Sequence, residues 1–339
     1  MALPTRRRID RAALARSFAA GIGLILLALS TMHFFPPGMW GDDWATYWAG
    51  VQRLFSDGSL YAPFQLAGDY PLREAAGGFG FVYPPSSLPV VAPFVLGGDI
   101  GRAAWFALGP SVYFSGVAAV LRRETGSLHA FWIVPFALAA GPWFPRALAS
   151  GNATLLLAGL LAWAWAVPRT AGAIAGLGLA IKLAPGAIVV WAWRERGSRA
   201  VAIGALVATI LAIIGTLLTG PAAWSDFLVV LTNQRPTCSV PYVTSIACAT
   251  GFGVIAGDAL AAVAVALAIF VRRRALVYSL IIFALIVSNA DLTIDAMTWV
   301  YALPVIIIGT VHLRSLLRRE ATADRARRAG NPGEDSRAE

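Results

Sequence analysis

Long apolar runs separated by short clusters of arginine recur along the chain. At 1.5 Å per residue, about 20 apolar residues are enough to cross the roughly 30 Å hydrocarbon core of a bilayer as an α-helix. Each run is long enough, or nearly long enough, to do so, and the pattern predicts transmembrane helices. We place spans near residues 18–35, 103–121, 128–144, 153–167, 200–218, 252–271, 276–288 and 297–313.

Two further apolar segments are interrupted. Residues 171–193 are broken at 182–185 and flanked by arginines on both sides, which predicts two short helices forming a hairpin. Residues 86–98 are too short and too rich in proline and glycine for an ordinary span, and predict a half-helix or an interfacial element. The predicted fold class is therefore an all-α polytopic membrane protein with about 10 (9–12) transmembrane helices.

The composition agrees with this class. Of the 339 residues, 58% are hydrophobic and only 13% are charged, which excludes an ordinary soluble domain. The net charge of +9 does not indicate nucleic-acid binding, because the arginines form short clusters between apolar runs, without a basic helix or an aromatic-basic repeat. Membrane topology explains the charge more simply.

The arginine clusters also predict the orientation. Placing the N-terminus in the cytoplasm puts most of them on the cytoplasmic side, together with the C-terminus. No small-residue cleavage site follows the first apolar run, so we expect an uncleaved first helix. The expected organisation is a basic N-terminus (1–17), a single transmembrane domain (18–313) with large outer loops at 36–102 and 220–251, and a disordered cytoplasmic tail (314–339).

The first outer loop begins with two adjacent carboxylates. Asp42 and Asp43 follow the first helix and precede an aromatic, amphipathic segment that contains Trp44 and Tyr47. Carboxylates beside aromatic faces at a membrane surface suit sugar chemistry. Capping of the following helix is an equally simple explanation of both acids, since carboxylates accept hydrogen bonds from free amides at a helix N-terminus.

A series of short motifs follows in a characteristic order. They are Asp43-x-x-x-Tyr47-x-Ala49-Gly50, Gly58-x-Leu60-Tyr61, Phe81-x-Tyr83-Pro84-Pro85, Gly151-Asn152, and a glycine-rich helix that ends in Lys182-Leu183-Ala184-Pro185. This order resembles the polyprenyl-phosphate-dependent glycosyltransferases of the GT-C superfamily, in particular the membrane family 87 that includes mycobacterial α-1,2-mannosyltransferases. The resemblance covers most of residues 42–304, although the chain is short for the family and lacks its histidine near the last outer turn.

The resemblance implies an inverting glycosyltransferase on the extracytoplasmic face of the plasma membrane. It would move a sugar, mannose by analogy, from a polyprenyl-phosphate donor to a hydroxyl of an envelope glycolipid or polysaccharide. Asp43 would be the general base and Asp42 a supporting neighbour, with Trp44, Tyr47 and Tyr83 lining the sugar or lipid groove. The lipid-linked donor is a substrate, and we expect neither a cofactor nor a metal ion.

Cations that could hold the donor phosphate are few. Lys182, the only lysine in the chain, lies at the broken hairpin, and Arg146 precedes Asn152, which opens the next helix. Lys182 could equally extend to the membrane interface, and Arg146 could be an ordinary surface arginine. His33, at the end of the first helix, is a candidate catalytic partner of the carboxylates or simply an interfacial residue.

The remaining candidates lie in later outer segments. Ser245, Asp291 and Asp295 are secondary candidates for sugar or acceptor binding, although turn formation would explain both aspartates. Cys238 and Cys248 are spaced for a small disulfide-closed loop in an oxidising compartment, with free thiols as the alternative. Two other functions remain compatible with the sequence: a lipid or small-solute transporter or flippase, and a non-catalytic membrane partner of an envelope enzyme.

Overall fold

The computed structural model of the chain describes residues 11–35, 40–71, 80–235, 254–288 and 297–330. In these ranges the regular structure is almost entirely helical, apart from a parallel ladder of two short strands, β1 (Tyr70–Pro71) and β2 (Gln234–Arg235). The α-helices are α1 (Arg11–Phe34), α2 (Asp42–Asp57), α3 (Pro63–Ala67), α4 (Leu88–Leu96), α5 (Gly98–Thr125), α6 (Val134–Ala139), α7 (Trp143–Ser150), α8 (Thr154–Ala166), α9 (Ala171–Ile181), α10 (Ile188–Arg196), α11 (Ser198–Thr219), α12 (Ala222–Asn233), α13 (Val254–Phe270), α14 (Arg274–Val287) and α15 (Ala302–Gly330).

Four of the described helical segments are long and apolar enough to cross a membrane. They are Ala15–Phe34, Gly98–Thr125, Ser198–Thr219 and Thr298–Thr322, and a fifth results if α7 and α8 count as one broken span. The structure is thus that of a helical membrane protein, but it does not confirm ten spans. The predicted spans at 153–167, 252–271 and 276–288 correspond to α8, α13 and α14, which are helices of only 13, 17 and 14 residues.

The predicted span at 128–144 is wrong. This segment contains a 3-10 turn (Phe131–Ile133), the six-residue α6 and the start of α7. Pro135 stands at the start of α6, where proline is tolerated, and Gly141 and Pro142 separate α6 from α7. A further bend of 119° divides α7 from α8. The apolar composition of this segment therefore did not predict a continuous helix, and some of its apolar side chains, such as Leu128 and Ile133, are exposed.

The two interrupted segments are confirmed as broken. Residues 171–193 form α9, a 3-10 turn (Ala184–Ala187) and α10, and residues 86–98 contain the nine-residue α4. The C-terminal segment differs from its prediction, because α15 continues to Gly330 through the residues expected to be disordered from 314. Arginine and alanine dominate this stretch and are strong helix formers, which accounts for the continuation.

The helices approach closely where glycines face each other. A Cβ on Gly116 of α5 would overlap the carbonyl oxygen of Gly159 on α8, and one on Gly176 of α9 would overlap that of Gly204 on α11. Small residues allow such backbone contacts, a common way of packing helices in membranes. Helix α5 therefore lies against α8 in the core, and each of its two ends carries a polar cluster.

One end of the helical core carries a group of aromatic and charged side chains that we call the Trp165 cluster. The rings of Trp165 and Trp191 are stacked with centroids 5.0 Å apart, and the Arg274 Cζ lies 5.0 and 4.9 Å from them. Arg274 Nε is 2.9 Å from Glu195 Oε1. The cluster consists of Arg123, Glu124, Trp165, Trp191, Glu195, Arg274, Tyr278 and His312.

Contacts within the Trp165 cluster join five helices. Trp165 Nε1 donates to Glu124 Oε1 at 2.8 Å, and Arg123 donates to the carbonyl oxygen of Trp165. His312 Nε2 lies 3.6 Å from Glu124 Oε2. The cluster thus ties α5, α8, α10, α14 and α15 together at one end of the core. At the other end of α5, Arg102 is 21 residues away from Arg123, or about 32 Å along the helix.

Candidate active site

The first turn of α2 is fixed to the core by its preceding glycine. Gly41 has φ 85°, in the left-handed region that favours glycine, and its N–H donates to the carbonyl oxygen of Ala149 on α7 at 2.7 Å. This contact places Asp42 and Asp43 in the first turn of α2, beside the end of α7. Negative charge is favourable there, because the helix dipole is positive at its N-terminus.

Both carboxylate oxygens of Asp42 have partners. Its Oδ1 accepts the backbone N–H of Asp43 at 3.0 Å, and its Oδ2 forms an ion pair with Arg146. The Arg146 side chain is only 11% exposed, against 35% for Asp42, and its Cζ lies 5.3 Å from the centroid of the Phe35 ring. Asp42 thus accepts one free amide of the first turn although the N-cap position is Gly41, and Arg146 joins α1, α2 and α7 rather than standing open to solvent.

The two carboxylate oxygens of Asp43 differ in their contacts within the described residues. The side chains of Asn152 and Ser150 form hydrogen bonds with this carboxylate, while its Oδ2 is fully covered and meets no hydrogen-bond donor in the part of the chain that the structure describes. Burial raises the pKa of Asp43, and the charge of Asp42 raises it further. The two hydrogen bonds and the charge of Arg146 act in the opposite direction without cancelling this rise.

The amide of Asn152 is oriented by Thr154. The backbone N–H and the hydroxyl of Thr154 both reach Asn152 Oδ1, at 2.8 and 2.5 Å. A backbone N–H can only donate, so the atom facing it must be the amide oxygen. The Nδ2 group therefore points the other way, towards Asp43 and the Tyr83 hydroxyl at 3.5 Å. Asn152 thus caps α8 and donates to the carboxylate at once.

Two buried phenols lie beneath the carboxylate. Tyr47 accepts the N–H of Ala153 at 3.1 Å and donates to the Tyr83 hydroxyl at 3.0 Å. Burial raises the pKa of both phenols, so both stay neutral at physiological pH. Trp44 packs edge-on to Tyr47 and is 6% exposed. The three rings predicted to line a groove therefore lie in the core, and their contact with a sugar or lipid stays a prediction.

The other motif residues build the support under this site. A Cβ on Gly50 would lie 2.6 Å from the Phe81 ring, so α2 approaches that segment closely only because glycine stands there. Tyr61 donates to the carbonyl oxygen of Tyr83 at 2.8 Å, and Gln65 donates to that of Phe81 at 3.1 Å. The motifs converge in space, and most of their members position Asp43 rather than face a substrate.

Two predicted site residues lie apart from the carboxylates. Lys182 is half-buried at the end of α9, where the carbonyl of Ala180 accepts the Ser86 hydroxyl at 2.8 Å, which brings this end beside the Tyr83–Ser86 segment. His33 lines an apolar groove of about 450 Å³ between α1 and α6. Within the described residues no hydrogen bond or ion pair joins His33 to Asp42 or Asp43.

The structure leaves some candidates unplaced and adds others that the sequence did not indicate. Ser245, Asp291, Asp295, Cys238 and Cys248 lie outside the described residues. Ser150 and Thr154 were missed, although the sequence Asn-x-Thr at a helix start is a capping signal that could have indicated Thr154. In the described ranges no three His, Cys, Asp or Glu side chains come together as a metal site, and metal independence stays a prediction.

Fold and site together define a helical membrane protein with a partly buried carboxylate centre at one end of its core. The model of Glycosyltransferase family 87 matches residues 81–308, two thirds of the chain, and the chain belongs to this family of glycosyltransferases. The matched region includes Tyr83, Arg146, Asn152 and Lys182, whereas Asp42 and Asp43 precede it. No curated protein and no solved structure matches the chain.

Proposed function

We propose that this glycosyltransferase is an inverting enzyme that moves a sugar from a polyprenyl-phosphate donor to a hydroxyl of an envelope glycolipid or polysaccharide, with Asp43 as its general base. The observation that carries the proposal is the Oδ2 of Asp43, which has no hydrogen-bond partner among the described residues. A carboxylate whose other contacts are fixed, and whose pKa is raised above its usual range, is suited to accept a proton near neutral pH.

The proposed step is a single in-line displacement, for which the groups that cover Asp43 Oδ2 must move aside so that the acceptor can reach it. The acceptor hydroxyl gives its proton to Asp43 Oδ2 while its oxygen forms a bond to the anomeric carbon of the sugar. The bond from that carbon to the phosphate oxygen breaks, and the electron pair leaves with polyprenyl phosphate. The configuration at the anomeric carbon inverts. Phosphate is an adequate leaving group, so one base and good positioning suffice.

The side chains around Asp43 have distinct parts in this scheme. Asn152 and Ser150 hold the carboxylate in place, and Arg146 offsets the charge of Asp42 so that both acids can lie in the same turn. This pairing supports a positioning part for Arg146 in place of the phosphate contact expected from the sequence. Lys182 stays a candidate for the donor phosphate.

The location and the sugar rest on other arguments. The arginine asymmetry supports a plasma-membrane protein with the Asp43 end on the extracytoplasmic face, and the opposite placement of the Trp165 cluster, rich in arginine, agrees with this. Mannose is proposed from the family resemblance alone.

A transfer assay tests the proposed function. Membranes with the wild-type protein, Asp43→Asn or Asp99→Asn receive radiolabelled polyprenyl-phosphate mannose and an envelope lipid extract, and label is followed into new products. Asp99 is an exposed carboxylate in the first turn of α5 and serves as the matched control. We expect transfer by the wild type and Asp99→Asn, and a loss of about 10²- to 10⁴-fold in Asp43→Asn.

Two results would overturn parts of the proposal. Full transfer by Asp43→Asn would exclude this carboxylate as the base. No transfer by well-folded wild-type protein with mannose, glucose, galactose and arabinose donors would contradict a polyprenyl-phosphate donor altogether.

A further inference from the structure

Arg102 is an exposed cation at the Asp43 end of α5. Its Cζ lies 5.8 Å from the centroid of the Phe106 ring, one helical turn further along. A Cβ on Gly41 would lie 3.1 Å from Arg102 Nη2, so the guanidinium rests against the turn that starts α2. No carboxylate pairs with Arg102 among the residues that the structure describes.

The contrast with Arg146 is informative. Arg146 is nearly buried and forms an ion pair with Asp42. Arg102, in contrast, is exposed and contacts the Phe106 ring and the Gly41 backbone. An anion approaching this turn of α2 would therefore meet the guanidinium of Arg102 first. Guanidinium groups bind phosphate oxygens through two parallel hydrogen bonds, which makes arginine well suited to this part.

Arg102 is also connected to the carboxylate site. The Phe106 ring beneath it lines a narrow cleft together with Gly151 and Asn152. A side chain on Gly151, whose φ is 71°, would lie 2.7 Å from Phe106, so the ring closes directly on the turn that carries Asn152. Arg102 thus packs on a ring that contacts the turn carrying Asn152, whose amide holds Asp43.

The geometry points to Arg102 as the residue that binds the phosphate of the lipid-linked donor, an inference that rests on the proposed function. In an in-line displacement, the base and the leaving phosphate lie on opposite sides of the anomeric carbon, roughly 7 Å apart. Gly41, against which Arg102 rests, precedes Asp43 by two residues, a distance of at most about 7 Å along the chain. Arg102 therefore rests against the turn that carries Asp43, a placement that suits a cation for the leaving phosphate.

Donor titrations with purified protein in zwitterionic vesicles test this assignment. Arg102→Gln should raise KM for the lipid-linked donor about tenfold, equivalent to about 1.4 kcal/mol, with a smaller rise in Arg102→Lys, which keeps the charge but loses the paired hydrogen bonds. Arg122→Gln, an exposed arginine at the other end of the same helix, is the control and should leave KM unchanged. Melting temperatures show whether each variant is folded.

Competition identifies the source of the phosphate. Unglycosylated polyprenyl phosphate should inhibit the wild type competitively, and about tenfold more weakly in Arg102→Gln. An unchanged donor KM in folded Arg102→Gln would overturn the inference, as would an equal rise in Arg122→Gln. An effect that appears only in vesicles containing anionic phospholipid would assign Arg102 to bulk headgroups instead. Failure of the wild type to transfer sugar would contradict the proposed function rather than the role of Arg102.

Discussion

The charged side chains at the two ends of α5 have different surroundings. At the Asp43 end, one oxygen of a buried carboxylate has no hydrogen-bond partner, and the exposed Arg102 has no acidic partner, among the described residues. In the Trp165 cluster, each acid contacts a cation or an indole N–H, and Arg274, whose Nε and Nη2 also lack hydrogen-bond partners in the described structure, is covered by two indole rings. The first arrangement leaves a carboxylate oxygen for chemistry, whereas in the second the ring contacts and ion pairs hold helices together.

The largest expected effect on stability is at the Trp165 cluster. Trp191 is fully buried between Trp165, Tyr278 and Arg274, so Trp191→Ala should lower the free energy of unfolding by about 3 kcal/mol through loss of packing. Thermal melting of purified protein measures this. Transfer activity per folded molecule should stay close to wild type.

The control for this substitution lies two residues away. Trp193 is 46% exposed on the same helix, and Trp193→Ala should change the free energy of unfolding by less than about 0.5 kcal/mol. A loss of activity in folded Trp191→Ala would show that the two ends of α5 are coupled, and the separation of a structural end from a chemical end would not hold.

A smaller effect is expected at the Asp42–Arg146 ion pair. Arg146→Gln removes a positive charge that lowers the pKa of Asp43, so that pKa rises further. The acid limb of kcat/KM should move to higher pH, and at a fixed pH on that limb kcat/KM should fall by up to about tenfold. Removing Asp42 as well, in Asp42→Asn/Arg146→Gln, should restore part of the activity, because the charge that Arg146 offsets is then absent. If the losses of the two substitutions simply add in the double variant, this electrostatic role of Arg146 is excluded.

The smallest effect is expected at Thr154. Thr154→Val removes the hydroxyl that holds Asn152 Oδ1 but leaves the backbone N–H, so the amide becomes less well oriented towards Asp43. We expect a loss of a few fold in kcat/KM and a displacement of its acid limb to higher pH, since Asp43 loses part of a stabilising hydrogen bond. Thr154→Ser should recover both. An unchanged pH profile in Thr154→Val would show that the Thr154 hydroxyl does not act on Asp43 through Asn152.

The sequence predicted some of these features and not others, for physical reasons. The long apolar runs of α1, α5 and α11 needed no tertiary information, because lipid alone requires such lengths to be helical. Asp43 and Asn152 stood out through their motifs. The pairing of Asp42 with Arg146 joins residues 104 positions apart, and the end of the predicted span at 128–144 depends on a bend that composition does not reveal. Both features depend on tertiary structure, so the sequence alone did not predict them.

The central claim is that Asp43 serves catalysis although its buried charge lowers the stability of the fold. The most direct test is Asp43→Asn, with sugar transfer and melting temperature measured on the same preparation. The raised pKa means that the folded state binds a proton more tightly than the unfolded state, so the ionised carboxylate destabilises the fold as pH rises above its ordinary value of 3.8. At pH 7 we predict that transfer is lost while the melting temperature is equal to or higher than that of the wild type. Retained transfer, or a loss accompanied by a fall in melting temperature, would contradict the claim.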